Sequence, residues 1–210
     1  MSGHNKAFLG DDYSKLETSK VFVCGAGALG SNLVMALAQE GYKNLTVVDF
    51  DRIEQGNAYT QVYGLGDNGG VKTQVLKALV ARKLRVNITD INKTLDAANA
   101  SKMLLGHSLV VDTFDNWESR ILVRDTCKAL KIQCVHAGMS EQGYSEIIWN
   151  EDYDPPEVQA VQRDLCEYPL AGPLVHITAA LLQGVVTHYL VTGKKVRRSF
   201  TLRDLKLRDF

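Results

Sequence analysis

Apolar residues fall along this chain in short unbroken runs separated by stretches with helical spacing. The first run, Val21-Phe22-Val23-Cys24, meets the turn Gly25-Ala26-Gly27-Ala28-Leu29-Gly30. Beyond it Leu29, Leu33, Ala36 and Leu37 recur in steps of three and four, which predicts a helix that Gly41 ends. Residues 44–51 read as a second strand closing on Asp49 and Asp51. Val71, Val75, Leu79 and Val80 predict another helix with Lys72 near its start, followed by a strand over 86–91. A short helix over 97–105, a strand over 108–113, a helix over 117–130 and strands over 132–136 and 144–149 come next. A long helix over 173–191 and an extended segment over 197–205 close the order.

Apolar strands that alternate with helices predict an α/β protein with a Rossmann-like, doubly wound sheet. It is mostly parallel, with antiparallel strands toward the C-terminus. Residues 150–170 break the rhythm, with Pro155, Pro156 and little apolar periodicity, and read as a long crossover-like loop. No Ser/Gly/Pro-rich linker divides the 210 residues, so 1–210 reads as one domain.

Charge narrows the partners: 24 basic residues balance 24 acidic ones, so no overall field calls for nucleic acid or a membrane surface. Residues 173–191 are apolar but interrupted by His176, Gln183, Gly184 and His188, which predicts a buried helix and not a membrane span. The first twenty residues contain no apolar stretch of signal-peptide length. Cys24, Cys127, Cys134 and Cys166 form no C-x-x-C pair, so neither zinc nor a disulfide framework is expected and a cytoplasmic setting is. Cys24, Cys127 and Cys134 belong to predicted strands or a helix and are assigned to the core. The five histidines have no metal-ligand spacing, and none is assigned to catalysis.

Gly25, Gly27 and Gly30 make a G-x-G-x-x-G turn between a strand and a helix, a geometry that holds phosphate at the helix N-terminus. Asp49 follows at the end of the next strand, where an acid bonds ribose hydroxyls. Both features suit NAD and ATP alike. Gly69-Gly70-Val71-Lys72 adds a lysine at a helix start, and Asp112-Thr113-Phe114-Asp115-Asn116 adds two acids and an amide past a central strand. A triphosphate with its metal ion needs such a cation and such a carboxylate, whereas a dinucleotide leaves them without a role. Taken singly, Lys72 is a solvated helix lysine and Asp112 a helix cap.

In order along the chain, the glycine turn, Asp49-Phe50-Asp51-Arg52-Ile53-Glu54-Gln55-Gly56-Asn57, Gln61, Lys72, Asp112 to Arg120 and residues 171–193 resemble one known family. They are similar to the adenylating domain of ubiquitin-activating enzymes and of the sulfur-carrier adenylyltransferases, the ThiF/MoeB/HesA family. The resemblance implies ATP-dependent activation of a C-terminal carboxylate on a small ubiquitin-like or sulfur-carrier protein. It also implies a homodimer. By the same resemblance Asp49 binds ribose, Lys72 the phosphates and Asp115 a magnesium ion. Asp51, Asn57, Gln61, Asp112 and Asn116 line the nucleotide pocket, and Arg120 braces the Asp115 loop. Cys166, before the long helix, occupies the place of a thiol that receives the activated group.

Two cations of the family pattern are missing. Thr60 stands where an arginine precedes Gln61, and no arginine occurs before Arg52, leaving Lys6 or Lys15 as replacements. Lysine lacks the planar fork that grips two phosphate oxygens. The chain is therefore either a divergent enzyme or a non-catalytic subunit that serves as scaffold or recognition module, with an NAD-dependent oxidoreductase as the third reading.

Overall fold

The structure, a computed structural model, describes residues 3–155 and 172–210. Two short helices, α1 (Gly3–Leu9) and α2 (Tyr13–Thr18), come first. Patterning does not announce them, because only Tyr13 and Leu16 are buried. Then follow β1 (Lys20–Cys24), α3 (Ala28–Glu40), β2 (Asn44–Asp49), α4 (Lys72–Leu84), β3 (Thr89–Asn92) and α5 (Ala100–Leu104). The remainder is β4 (Leu109–Asp112), α6 (Trp117–Leu130), β5 (Cys134–Met139), β6 (Tyr144–Trp149), α7 (Gly172–Thr192), β7 (Arg198–Thr201) and β8 (Lys206–Arg208).

The eight strands form one sheet in the order β3-β2-β1-β4-β5-β6-β7-β8. Pairing is parallel from β3 through β5 and antiparallel from β5 through β8. This is the doubly wound, mostly parallel arrangement expected, with its antiparallel strands at the C-terminal end. From β1 the chain crosses to β2 on one side, and it later returns to β4 on the other. The crevice beyond the carboxyl ends of β1 and β4 lies at that change of direction, where ligands sit in open α/β sheets.

Side-chain alternation along the strands makes two cores, one on each face. Val21, Val23, Val47, Val111 and Val135 point to the layer that holds Leu33, Leu37 and Leu76 from α3 and α4, and Leu182 and Val186 from α7. Phe22, Cys24, Val48, Val110 and Cys134 point to the other, with Leu104 of α5 and Val123 and Cys127 of α6. The three cysteines assigned to the core are buried there. Each fully buried Leu or Val contributes about 1.5–3 kcal/mol by leaving water. α7 is long and apolar enough to cross a membrane. Its Leu174, Val175, Leu182 and Val186 are nonetheless buried in this protein layer.

Two spans differ most from expectation. The strand over 86–91 begins only at Thr89, because Arg85 ends α4 in the left-handed conformation (φ 57°) and turns the chain. The extended 197–205 segment is a hairpin, β7 and β8, whose turn closes at Leu205 (φ 56°). The expected crossover-like loop lies for the most part in residues 156–171, outside the described residues, and Cys166 with it.

The tightest point of the framework is the turn after β1. Gly25 has φ +98°, and a Cβ on Gly30 would stand 2.0 Å from the Gly25 carbonyl oxygen and 2.7 Å from Thr113 Oγ1. Gly27, at φ −79°, has nothing within 4 Å of such a Cβ. Gly30→Ala is therefore expected to destabilise the protein by at least the roughly 1–3 kcal/mol of an overpacked core site. Gly27→Ala should stay within about 0.5 kcal/mol of the parent. Urea unfolding of the two variants checks this contrast.

Candidate functional site

Three loops meet at the carboxyl ends of β1, β2 and β4. The first, Gly25-Ala26-Gly27, opens α3, whose N-cap Gly27 offers no side-chain hydrogen bond, so no side chain of its cap competes for the first-turn N–H groups. The backbone of its central residue is pinned on both sides of the Cα. Ala26 N–H donates to Asp49 Oδ2 at 2.7 Å, and Tyr63 Oη donates to the Ala26 carbonyl at 2.8 Å. The backbone is thus rigid where an anion is to be held, and helix N-termini favour negative charge.

The second loop carries Asp49 and Asp51. Asp49 is 8% exposed and accepts a further bond from Asp51 N–H at 2.7 Å. Burial pushes its pKa above the ordinary carboxylate value, while the Ala26 and Asp51 N–H groups and the Lys72 charge pull the other way. Residues 51–53 pair with 69–71: Ile53 N–H reaches the Gly70 carbonyl, Gly69 N–H the Ile53 carbonyl, and Arg52 the Gly69 carbonyl. This small antiparallel clasp brings the start of α4 to the end of β2. Lys72, itself 8% exposed, sets its ammonium 2.8 Å from Asp51 Oδ2.

The third loop, Thr113 to Asn116, follows β4. Thr113 Oγ1 donates to the Cys24 carbonyl at 2.7 Å and so ties this loop to the glycine turn. Asp115 is exposed at its tip, and its carboxylate makes no hydrogen bond or ion pair to the described residues. Asn116 caps α6 by accepting from Ser119 N–H at 2.9 Å. Arg120 braces the loop, its Nε donating to the Phe114 carbonyl at 2.6 Å.

The structure thus brings Gly25, Gly27, Gly30, Asp49, Asp51, Lys72 and the Asp115 loop to one edge of the sheet. Asp112 needs correction. It is fully buried, accepts from Phe114 N–H at 3.1 Å, and lies 2.8 Å from His136 Nδ1, so it supports the loop from beneath and does not face the crevice. The two-residue period was the available signal, since it places Asp112 on the inner face with Val110. Asn57 closes a capping box with Glu54, and Gln61 has a buried Oε1 with no partner among the described residues. Tyr63 and Thr113 were missed by sequence reasoning. Neither belongs to a recognisable spacing, because both act on backbone carbonyls of a distant loop.

Of the two lysines offered as replacement cations, Lys15 makes contacts on its own surface. Lys15 is held by Asp12 at 2.8 Å and by the Val191 carbonyl at 2.7 Å. Thr60 offers its carbonyl to Asn32 at 2.9 Å. A separate open groove of about 590 Å³ runs between α3 and α4, lined by Asn32, Met35, Val62, Leu79, Arg82 and Lys83. None of Asp49, Lys72 and Asp115 lines it, so its size has no bearing on their chemistry.

An uncapped glycine turn, a buried acid, a lysine and an exposed acid around a topological switch define a doubly wound α/β protein built to hold an anionic ligand at its strand ends. More narrowly, residues 4–199 match the ThiF family, and the chain belongs to it. It is 33% identical over 127 residues to the SAMP-activating enzyme E1 of Haloferax volcanii, covering 60% of this chain and 47% of that protein. It is 30% identical over 148 residues to the molybdopterin-synthase adenylyltransferase of Escherichia coli, covering 69% of this chain and 59% of that one. The chain therefore spans about half the length of these curated relatives. The crystal structure of E. coli MccB with ATP superposes with a TM-score of 0.78 over 95% of this chain and 65% of that one. At 18% identity that likeness concerns the fold.

Asp49 also generates a pH signature. A carboxyl whose folded pKa lies above its unfolded value adds stability at low pH and loses that contribution as pH rises through the folded pKa. Relative to Asp49→Asn, the wild type should lose stability as pH climbs from about 3.8 through the raised value. Parallel urea titrations between pH 3.5 and about 6.5 measure the difference, and superimposable pH profiles would show that Asp49 is not perturbed.

Proposed function

We propose that the chain is an ATP-dependent adenylyltransferase that activates the C-terminal carboxylate of a small ubiquitin-like or sulfur-carrier protein. The observation that carries this reading is the meeting of three groups at one sheet edge: the uncapped first turn of α3, Lys72, and the exposed carboxylate of Asp115. Support comes from the relatives, whose names describe an adenylyltransferase and an activating enzyme. The residues present fit the ligands. Among the described residues, Gln61 keeps a buried acceptor without a partner, and no atom comes within 4 Å of a Cβ built on Gly27, which leaves room for a phosphate.

In this reaction a carboxylate oxygen bonds to the α-phosphorus of ATP, the bond to the bridging oxygen of the β-phosphate breaks, and pyrophosphate leaves. Both reactants are anionic, so the protein's work is to offset charge and align the attack. The α3 N–H groups and Lys72 draw the phosphates to the crevice. Asp49 uses one lone pair of each oxygen on Ala26 and Asp51, and its remaining acceptor capacity serves a ribose hydroxyl. Asp115 would hold magnesium, which when bound neutralises the phosphate oxygens. A homodimer and a cytoplasmic setting belong to the same reading. In a second step the Cys166 thiolate would take the acyl group as a thioester and release AMP.

One observation favours the scaffold alternative. Thr60 stands where the family pattern has an arginine. Exchange of labelled pyrophosphate into ATP, driven by a panel of sulfur-carrier and ubiquitin-like proteins, decides between the two. Asp115→Ala is expected to reduce exchange at least about 100-fold with the unfolding midpoint unchanged. Cys166→Ala should keep exchange and lose any thiol-sensitive conjugate. A wild type that neither binds Mg-ATP nor exchanges pyrophosphate would move the chain to the scaffold reading.

A further inference from the structure

A polar network with no part in the chemistry lies behind the Asp115 loop. Asp112 is fully buried and His136 is 1% exposed, with 2.8 Å between Asp112 Oδ2 and His136 Nδ1. His136 Nε2 lies 2.7 Å from Asn150 Oδ1, and Asn150 Nδ2 donates to the Arg124 carbonyl at 3.1 Å. The ring of Tyr153 stacks on His136, with centroids 3.8 Å apart and planes inclined by 16°. Arg120 uses its whole guanidinium fork, donating to the Phe114 carbonyl, to Tyr153 Oη at 2.7 Å and to the Ala137 carbonyl at 2.7 Å. Burial opposes the Arg120 charge, yet Asp112, Tyr153 and Asp115 together hold its pKa above the ordinary value.

The backbone of Phe114 is thus gripped on both sides of its Cα. Its N–H goes to Asp112 and its carbonyl to Arg120. Both gripping residues continue into the segment after β6, Asp112 through His136 to Asn150, and Arg120 through Tyr153. Burying this many polar groups is costly unless they are all satisfied. The Asp115 loop would need only a cap to be stable, and Asn116 already supplies it.

We propose that Tyr153 and His136 are positioning residues for Asp115, acting through Arg120 and Asp112. They fix the Phe114 backbone, and with it the direction of the neighbouring carboxylate, from the α6 face of the sheet. The proposal rests on the reading of Asp115 as a magnesium ligand for its catalytic consequence, but its structural core concerns the loop alone. Tyr153 is the cleanest point of attack. Tyr153→Phe keeps the stack on His136 and removes the oxygen that Arg120 holds, and Arg120→Lys keeps the charge and removes the fork.

Two measurements test it. In ligand-free protein, hydrogen exchange of the Phe114 and Ser119 amides, which bond Asp112 and Asn116, should quicken about 10-fold in Tyr153→Phe, and more in Arg120→Lys, with β1 and β4 amides unchanged. Exchange that is unaltered in both variants, or that rises equally across the sheet, overturns the positioning role. By calorimetry, Tyr153→Phe should weaken ATP binding about 5- to 10-fold with magnesium present and leave metal-free ATP binding unchanged. An equal loss with and without magnesium also overturns it. A wild type that binds no nucleotide removes the proposed function, while the exchange result still decides the positioning of the loop.

Discussion

The crevice depends on one contact between backbones. α3 leaves β1 so sharply that Gly30 lies against the Gly25 carbonyl, with the Thr113 hydroxyl wedged beside them. No side chain fits there. Because Gly30 is bare, β1 and β4 close up, the Thr113 loop is tied to the Cys24 carbonyl, and the first turn of α3 faces out over the sheet edge. A methyl group at that point would separate the two loops that flank the crevice.

Around this contact the protein repeats one device. The Ala26 backbone is held by Asp49 on its N–H and Tyr63 on its carbonyl, and the Phe114 backbone by Asp112 and Arg120 in the same manner. In each case an acid at a strand end accepts and a side chain from elsewhere in the fold donates. Catalysis by charge offset works best when donors and dipoles are fixed beforehand, since they then need no reorganisation during the reaction. Pinning the backbone on both sides of a Cα is a direct way to fix it. The buried acids Asp49 and Asp112 therefore shape the edge of the crevice, while the carboxylate of Asp115 stays exposed beside it.

Much of this was legible in the sequence where local chemistry and long-range packing agree. α6 matches its predicted span because Asn116 is a good cap and Val123 and Cys127 mark an inner face. β6 and the glycine turn read equally well, for strand alternation and the positive φ at Gly25 are local properties. The two N-terminal helices escaped because they bury almost nothing of their own. Asp112 was read as a ligand because a motif registers residue type and spacing, whereas its burial depends on His136, twenty-four positions away. His136 and Tyr153 had no signal at all. Their roles come from a sheet order that sets β5 beside β4, which no window along the chain contains.

That sheet order also has a consequence for how the molecule is made. β1 pairs in parallel with β4, Val21 opposite Leu109, and the Thr113 hydroxyl closes onto Cys24 across 89 positions of sequence. Pairings of such separation pay a large loop-closure entropy before any contact rewards it, so they form late. On a ribosome adding roughly 5–20 residues per second, the glycine turn waits several seconds for the strand that completes it. During that interval the two central strands have an unpaired flank, rich in valine and phenylalanine. The crevice thus cannot form until β4 has emerged, and its assembly requires β1 and β4 to be in register.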